Sequence, residues 1–148
     1  MSDKVDLVRF VAAQQDSWPR ALGELRAGSK KSHWMWYVFP QIAGLGMSDM
    51  SRRYALSGRA EAQAYVAHPI LGERLREGVG AMAAQPAGTE AAAVLGHVDA
   101  QKFRSCLTLF AAVSPDPVFA EALARFYDSV PCEHTLEALA LDQPNPGR

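Results

Sequence analysis

Residues 99–113 read DAQKFRSCLTLFAAV, and their apolar side chains recur at the spacing of an α-helix. Four of these side chains share one helical face: Phe103, Cys106, Leu107 and Phe110. Asp99 is a residue type that favours the N-cap position, and Pro115 and Pro117 stop the pattern. We therefore predict a helix that Asp99 caps and that ends at Val113. Its apolar face has to be covered by other helices, which favours a helical fold.

Helical spacing continues on both sides of this segment. Toward the C terminus, the pattern predicts a helix around residues 119–126, and Thr135 is predicted to cap a helix over residues 136–141. Toward the N terminus, the predicted helices are residues 4–28, a short helix capped by Ser48, residues 61–67, a helix opened by Pro69, and residues 90–95. Residues 4–28 form either one helix or two helices that meet at Trp18-Pro19. Residues 34–42, rich in aromatic and branched side chains, could form a strand instead.

These patterns predict an all-α fold class, namely a mainly helical, compact, single-domain orthogonal bundle. The domain is predicted to span residues 1–142, and residues 143–148, which contain two prolines and a glycine, to form a disordered tail. A chain of 148 residues is within the usual size of one domain, so it can bury a real core.

Charge and hydropathy argue against two classes of partner. The chain carries 15 Lys and Arg against 16 Asp and Glu, so its net charge of -1 gives no general attraction to nucleic acid. No apolar run approaches the roughly 20 residues that a membrane-spanning helix needs, and the first residues lack the pattern of a secretory signal. We predict a cytoplasmic protein that binds no membrane.

Neither a metal nor a cofactor is predicted. Cys106 and Cys132 form no CxxC pair, and the four histidines are scattered without a zinc-binding spacing. Buried structural thiols are the favoured interpretation of the cysteines, although the two could also form one disulfide.

Aromatic and basic side chains are densest in residues 30–41, which read KKSHWMWYVFPQ. Such a cluster forms either part of the core or the wall of a pocket, because each aromatic side chain buries about 150–250 Å² when it packs inside. Basic and polar residues flank the aromatic ones, at Lys30, Lys31, His33 and Gln41. A Gly44-Leu45-Gly46 loop then leads to a helix start at Ser48, where unpaired N–H groups favour an anion. The loop lacks the spacing of a Rossmann or Walker motif, which favours an ordinary turn.

A second polar group lies on the predicted helix over residues 99–113. Asp99 and Lys102 are one helical turn apart, and Ser105 and Thr108 lie further along the same helix. In one interpretation Asp99 caps the helix, Lys102 is solvated, and the hydroxyls bond to backbone or solvent. In the other, Lys102 lies at the edge of the apolar face, where its charge meets an anionic ligand.

The run from Lys31 to Gln41, with Gly44-Leu45-Gly46 and Ser48 after it, resembles family 1810 of the bacterial domains of unknown function, whose members are sometimes labelled calpastatin. The similarity continues through residues 68–75 (HPILGERL) and 99–110 and ends at Thr135-Leu136. It implies a compact helical fold and no particular activity, with a small hydroxyl residue expected where this chain has Cys106. A weaker resemblance, to the NADAR family of ADP-ribose-linked N-glycosidases, rests on Lys102-Phe103 and the aromatic-rich early segment. It aligns no catalytic residues and implies a nucleotide-type ligand.

Two functions fit these residues. The first is binding of a small anionic ligand, nucleotide- or ADP-ribose-like, in an aromatic and basic pocket. The candidate ligand-binding residues are Lys30, Lys31, Trp34, Trp36, Gln41, Ser48, Tyr54, Lys102 and Ser105. Whether the ligand is also hydrolysed is left open, and His33 and Asp99 are the candidates for catalytic proton transfer. The alternative is a protein-interaction module without catalysis, built on an exposed aromatic patch.

Overall fold

The computed structural model describes residues 7–142 and is a compact all-α domain within them, as the apolar spacing predicts. Its helices are α1 (Val8–Ala27), α2 (Met35–Val38), α3 (Asp49–Arg53), α4 (Arg59–Ala67), α5 (Leu71–Ala83), α6 (Ala91–Leu95), α7 (His97–Val113), α8 (Pro117–Tyr127) and α9 (Glu133–Leu141). The described part of the chain contains no β-strand, and a parallel bridge joins Ile42 to Leu56. Residues 34–42 thus contain a short helix and no strand. The predicted tail over 143–148 lies outside the described residues, and the single domain over 1–142 and the orthogonal crossing of its helices stay predictions.

The first long segment forms one helix, α1, and not two. Pro19 lies inside α1 and removes one backbone hydrogen bond from it. Buried side chains on both sides, Phe10 before the proline and Leu25 after it, hold the helix against the core. α1 ends at Gly28, whose φ of 76° lies in the left-handed region that glycine adopts without steric cost.

The central helix is α7, which packs against α4, α6, α8 and α9. Most of its buried side chains are apolar: Ala100, Phe103, Cys106, Leu107, Leu109 and Phe110. Two buried hydroxyls lie among them, and both donate one turn back to the backbone. Ser105 donates to the carbonyl of Gln101 at 3.2 Å and Thr108 to that of Arg104 at 2.8 Å. Their polar groups are therefore satisfied inside the molecule.

The start of α7 differs from the prediction by three residues. The helix begins at His97, and its N-cap is Gly96, which has a φ of 88°. Asp99 therefore lies in the first turn, where its charge still complements the helix dipole. The prediction for Ser48 is confirmed, since its hydroxyl accepts a hydrogen bond from the backbone N–H of Ser51 at 3.1 Å.

The start of α9 also lies earlier than predicted. Cys132 occupies the N-cap position and Glu133 is the first helical residue. Thr135, which was predicted to be the cap, lies in the first turn and is fully buried. The hydroxyl of Thr135 therefore does not cap this helix.

Aromatic side chains fill much of the core. The fully buried ones are Phe10, Trp34, Phe39, Tyr65, Phe103, Phe110 and Phe119. Phe39 packs against Phe103 in a tilted arrangement with ring centroids 4.8 Å apart, which joins the aromatic segment to α7. None of the helices between residues 7 and 142 is long and apolar enough to cross a membrane.

Candidate functional site

The loop between α1 and α2 is held by one carboxylate, that of Glu24. Its Oε1 accepts hydrogen bonds from the backbone N–H groups of Lys31 and Ser32, at 2.8 and 3.0 Å, and from the indole Nε1 of Trp34 at 2.9 Å. Its Oε2 accepts one from the Ser32 hydroxyl at 2.6 Å. Burial by itself would raise the pKa of Glu24, but these four donors outweigh it and lower the pKa to about 2. The loop that carries the two lysines is therefore fixed to α1.

Lys30 connects this loop to α7. Its Nζ lies 2.8 Å from Oδ2 of Asp99 and donates to the carbonyl of Ser32 at 2.6 Å. The same ammonium lies 5.0 Å from the centre of the Trp34 ring, within the range of a cation–π interaction. Only 8% of the Lys30 side chain is exposed, so these partners, and not water, surround its ammonium group. Lys30 is thus a buried link between two parts of the chain some seventy residues apart.

Asp99 is shared between two lysines. Its second oxygen, Oδ1, lies 3.6 Å from Nζ of Lys102, one turn further along α7. The Lys102 ammonium also lies 5.0 Å from the centre of the Trp36 ring. Two ammonium groups therefore share one carboxylate, which leaves the group of Lys30, Asp99 and Lys102 with a net positive charge of one.

A hollow of about 450 Å³ opens beside Lys102, between α7, the loop of residues 41–46 and the start of α9. We call it the α7 hollow. Its lining residues are Gln41, Gly44, Leu45, Gly46, Ser51, Val98, Gln101, Lys102, Ser105, Cys132 and His134. None of these carries a carboxylate, and Lys102 brings an ammonium group to the lining.

Three of the predicted ligand-binding residues meet in the α7 hollow: Gln41, Lys102 and Ser105. Two aromatic candidates lie next to it. Trp36 and Tyr54 line a smaller cavity of about 150 Å³, which shares Gln41, Gly44, Leu45, Gly46 and Ser51 with the hollow. Trp36 is half-buried, and its contact with Lys102 joins the two spaces.

The remaining candidates lie elsewhere. Trp34 is 1% exposed and belongs to the core, where its indole N–H is held by Glu24. Lys31 and His33 are exposed and line a separate hollow of about 500 Å³ beside α1. Ser48 is exposed and serves as the cap of α3. The structure therefore does not bring His33 into one hollow with Lys102.

The α7 hollow also contains residues that the sequence did not single out, above all Cys132. Burial would raise the pKa of its thiol, but the Ser105 hydroxyl 3.2 Å from Sγ, together with the Thr135 hydroxyl and the backbone N–H groups of His134 and Thr135 at the start of α9, lowers it below the ordinary value. Cys106 is fully buried, and burial raises its pKa. Both cysteines are free thiols. The sequence could have indicated Cys132 through its position just before a predicted helix. Thr135 was chosen as the cap of that helix instead.

Metal-ligating side chains do not cluster in the described part of the chain. From residue 7 to residue 142, no three His, Cys, Asp or Glu residues come together in a way that could hold a metal ion. The side chains that line the α7 hollow offer an ammonium group, amides, two hydroxyls, a thiol and an imidazole.

Comparison with known proteins places the chain in a family. It matches the family model described as "Protein of unknown function (DUF1810)" over residues 4–139. It is also similar to the crystal structure of the conserved hypothetical protein Rv1873 from Mycobacterium tuberculosis, with 42% sequence identity and a TM-score of 0.90. That alignment covers 93% of this chain and 99% of the other. No curated protein matches the chain. The chain therefore belongs to the DUF1810 family of proteins of unknown function.

Proposed function

We propose that this protein binds a small anionic ligand, of the nucleotide or ADP-ribose class, in the α7 hollow. The observation that carries the proposal is the position of Lys102, which lines a hollow of about 450 Å³ whose described lining has no carboxylate. Pockets for small ligands fall in the range of about 300–1,000 Å³, so the volume suits such a ligand.

Charge supports this ligand class. Asp99 is already paired through Oδ2 with Lys30, which is almost entirely buried, and is further from Lys102 than from Lys30. An anion in the hollow would give Lys102 a second partner and offset the excess positive charge of the group. A charge-assisted hydrogen bond of this kind contributes roughly twice as much as a neutral one.

The surroundings of Lys102 favour a ligand with a flat, partly apolar portion. Trp36 and Tyr54 line the adjoining cavity, and the amide of Gln41 lines both spaces. An aromatic ring next to an amide suits the stacking and hydrogen bonding of a nucleobase. The phosphate groups would then lie toward Lys102 and Ser105.

Binding is better supported than hydrolysis. Asp99 has both of its carboxylate oxygens next to lysines and is absent from the lining of the α7 hollow. His33 lines a different hollow. The proton-transfer roles of these two residues stay predictions, and whether the protein is an enzyme is a separate question from whether it binds.

The interaction-module alternative has less support. It needs an exposed aromatic patch, but Trp34 is 1% exposed and Trp36 is half-buried. We also propose that the protein has no general affinity for nucleic acid, because its net charge is -1. A cytoplasmic location is a further proposal.

Calorimetric titration with ADP-ribose, AMP and uncharged adenosine tests the proposal. We expect the two anions to bind and adenosine to bind much more weakly. Lys102→Gln should weaken anion binding by about tenfold or more, since a hydrogen bond to a charged group is worth about 1.5–3 kcal/mol. Lys31→Gln is the matched control, because Lys31 is exposed and lines the other hollow. Equal effects of the two variants, or no heat with any of the three compounds, would refute the proposal.

A further inference from the structure

The two thiols of this chain have opposite surroundings. Cys106 lies on the buried face of α7 and is fully enclosed. Cys132 is half-buried, lines the α7 hollow and occupies the N-cap position of α9, a helix of nine residues. A sulfur at a helix N-terminus faces unpaired backbone N–H groups, which favour a negative charge. Cys132 is therefore the thiol that a small molecule in the hollow would meet.

Donors surround the Cys132 sulfur. The Ser105 hydroxyl lies 3.2 Å from Sγ and can donate to it in place of its bond to the carbonyl of Gln101. Backbone N–H groups at His134 and Thr135 also favour the charged sulfur. The backbone N–H of Cys132 itself donates to the Thr108 hydroxyl at 2.9 Å, which fixes the cysteine against α7.

The buried hydroxyl of Thr135 is a second feature that favours a negative charge on the Cys132 sulfur. Its side chain is 0% exposed, its Oγ1 has no hydrogen-bond partner within residues 7–142, and it is among the groups that lower the pKa of the Cys132 thiol. A thiol is a weak acceptor, so the buried hydroxyl is poorly satisfied beside it, at a cost of about 1–3 kcal/mol. A thiolate is a strong acceptor and removes that cost. The pocket around the sulfur is thus better matched to the charged form than to the neutral one.

From this geometry we infer that Cys132 is a nucleophilic thiol that undergoes thiol–disulfide exchange with small disulfides entering the α7 hollow. The preferred disulfides carry a carboxylate, because Lys102 lines the same hollow and none of its described lining residues is acidic. This preference for anions rests on the proposed function, whereas the reactivity of the thiol does not.

The exchange needs no reagent besides the disulfide, which is the oxidant. The thiol proton goes to solvent, and the Cys132 thiolate attacks one sulfur of the disulfide. The bond between the two sulfurs of the small molecule breaks as a new bond to Sγ forms. The electron pair leaves with the second sulfur, which departs as a thiolate. Cys132 ends as a mixed disulfide, and one equivalent of small thiol is released.

Two aromatic disulfides of opposite electrostatic character test the inference on the folded chain: dianionic dithiobis(nitrobenzoate) and uncharged dipyridyl disulfide. The absorbance of the released thiolate gives the rate, and peptide mass spectrometry gives the site. We expect one equivalent to react at Cys132, about tenfold faster or more than the thiols of the urea-unfolded chain at the same pH. Cys132→Ser should abolish this phase, while Cys106→Ala should leave it unchanged.

Two further variants separate the parts of the inference. Ser105→Ala should slow the reaction with both reagents, because it removes a donor to the sulfur. Lys102→Gln should slow the anionic reagent by a factor about threefold or more larger than the factor by which it slows the uncharged one. If Cys132 reacts no faster than in the unfolded chain, the nucleophile is refuted. If it reacts fast and Lys102→Gln has no selective effect, the anion preference fails and the reactive thiol stands.

Discussion

Glu24→Ala should destabilise the fold far more than the loss of an ordinary surface carboxylate. The substitution removes the carboxylate that accepts four hydrogen bonds from the loop between α1 and α2. The indole N–H of Trp34, a residue that is only 1% exposed, then loses its hydrogen-bond acceptor. An unsatisfied buried donor costs about 1–3 kcal/mol, and the charge-assisted bond from the Ser32 hydroxyl adds about 1 kcal/mol. We expect the free energy of unfolding to fall by about 2–4 kcal/mol.

Urea unfolding followed by tryptophan fluorescence measures this loss. The matched control is Glu77→Ala, which removes an exposed carboxylate whose partner, Arg26, lies 3.6 Å away. Surface ion pairs of this kind contribute at most about 1 kcal/mol. Glu24→Gln is the conservative variant, since it keeps one oxygen for the loop N–H groups and should cost less than Glu24→Ala. A loss at Glu24→Ala no larger than that at Glu77→Ala would show that the carboxylate does not hold the loop.

Lowering the pH provides a second measurement of how much the Glu24 carboxylate stabilises the fold. The pKa of Glu24 falls from an ordinary 4.5 to about 2 in the folded chain, so its charged form stabilises the fold. That contribution is complete above pH 4.5 and disappears as the pH falls through the folded pKa of about 2. With solvent screening of this partly exposed group taken into account, we expect it to be about 1–2 kcal/mol. The stability difference between the wild type and Glu24→Gln should therefore shrink between pH 5 and pH 2, and a constant difference would refute this assignment.

Substitutions at Asp99 and Gly72 test a buried ion pair and a close backbone contact, and urea unfolding measures both. Asp99→Asn removes the carboxylate from the ammonium of Lys30, whose side chain is only 8% exposed, and should lower the free energy of unfolding by about 3 kcal/mol. A decrease of less than about 1 kcal/mol would count against a buried ion pair. Gly72→Ala would place a Cβ 2.1 Å from the carbonyl oxygen of Val66 and should cost more than about 2 kcal/mol, because backbone has to move. Gly80→Ala in the same helix meets nothing within 4 Å and should instead stabilise by up to about 1 kcal/mol, so similar effects at the two glycines would contradict the packing.

The helices could be predicted from the sequence because their signal is local. Apolar residues three and four positions apart identify the buried face of a helix whatever it packs against, and the pattern of residues 99–113 predicted α7 to within three residues at its start. The ends of helices were less certain. Thr135 has the residue type of a cap, but it lies buried in the first turn and Cys132 occupies the N-cap position. Where a helix begins also depends on tertiary packing, which involves distant parts of the chain.

The candidate site was predicted in part. The sequence singled out both the segment of residues 30–41 and the Asp99-Lys102 pair, and the structure joins them through the ion pair of Lys30 with Asp99. It also brings Gln41 and Lys102 to one hollow. It separates His33 from them, because that side chain points to the surface beside α1.

By itself, the sequence determined which segments are helical and which chemical groups are available, since both follow from residue type and short-range spacing. Only the tertiary structure decided what those groups face. Trp34 and Trp36 are two positions apart, yet one lies in the core and the other borders a cavity. Cys106 and Cys132 are the same residue type, yet Cys106 is fully buried in the core and Cys132 lines the hollow. Burial and electrostatic environment arise from contacts between residues far apart in the chain, and short-range spacing contains no record of those contacts.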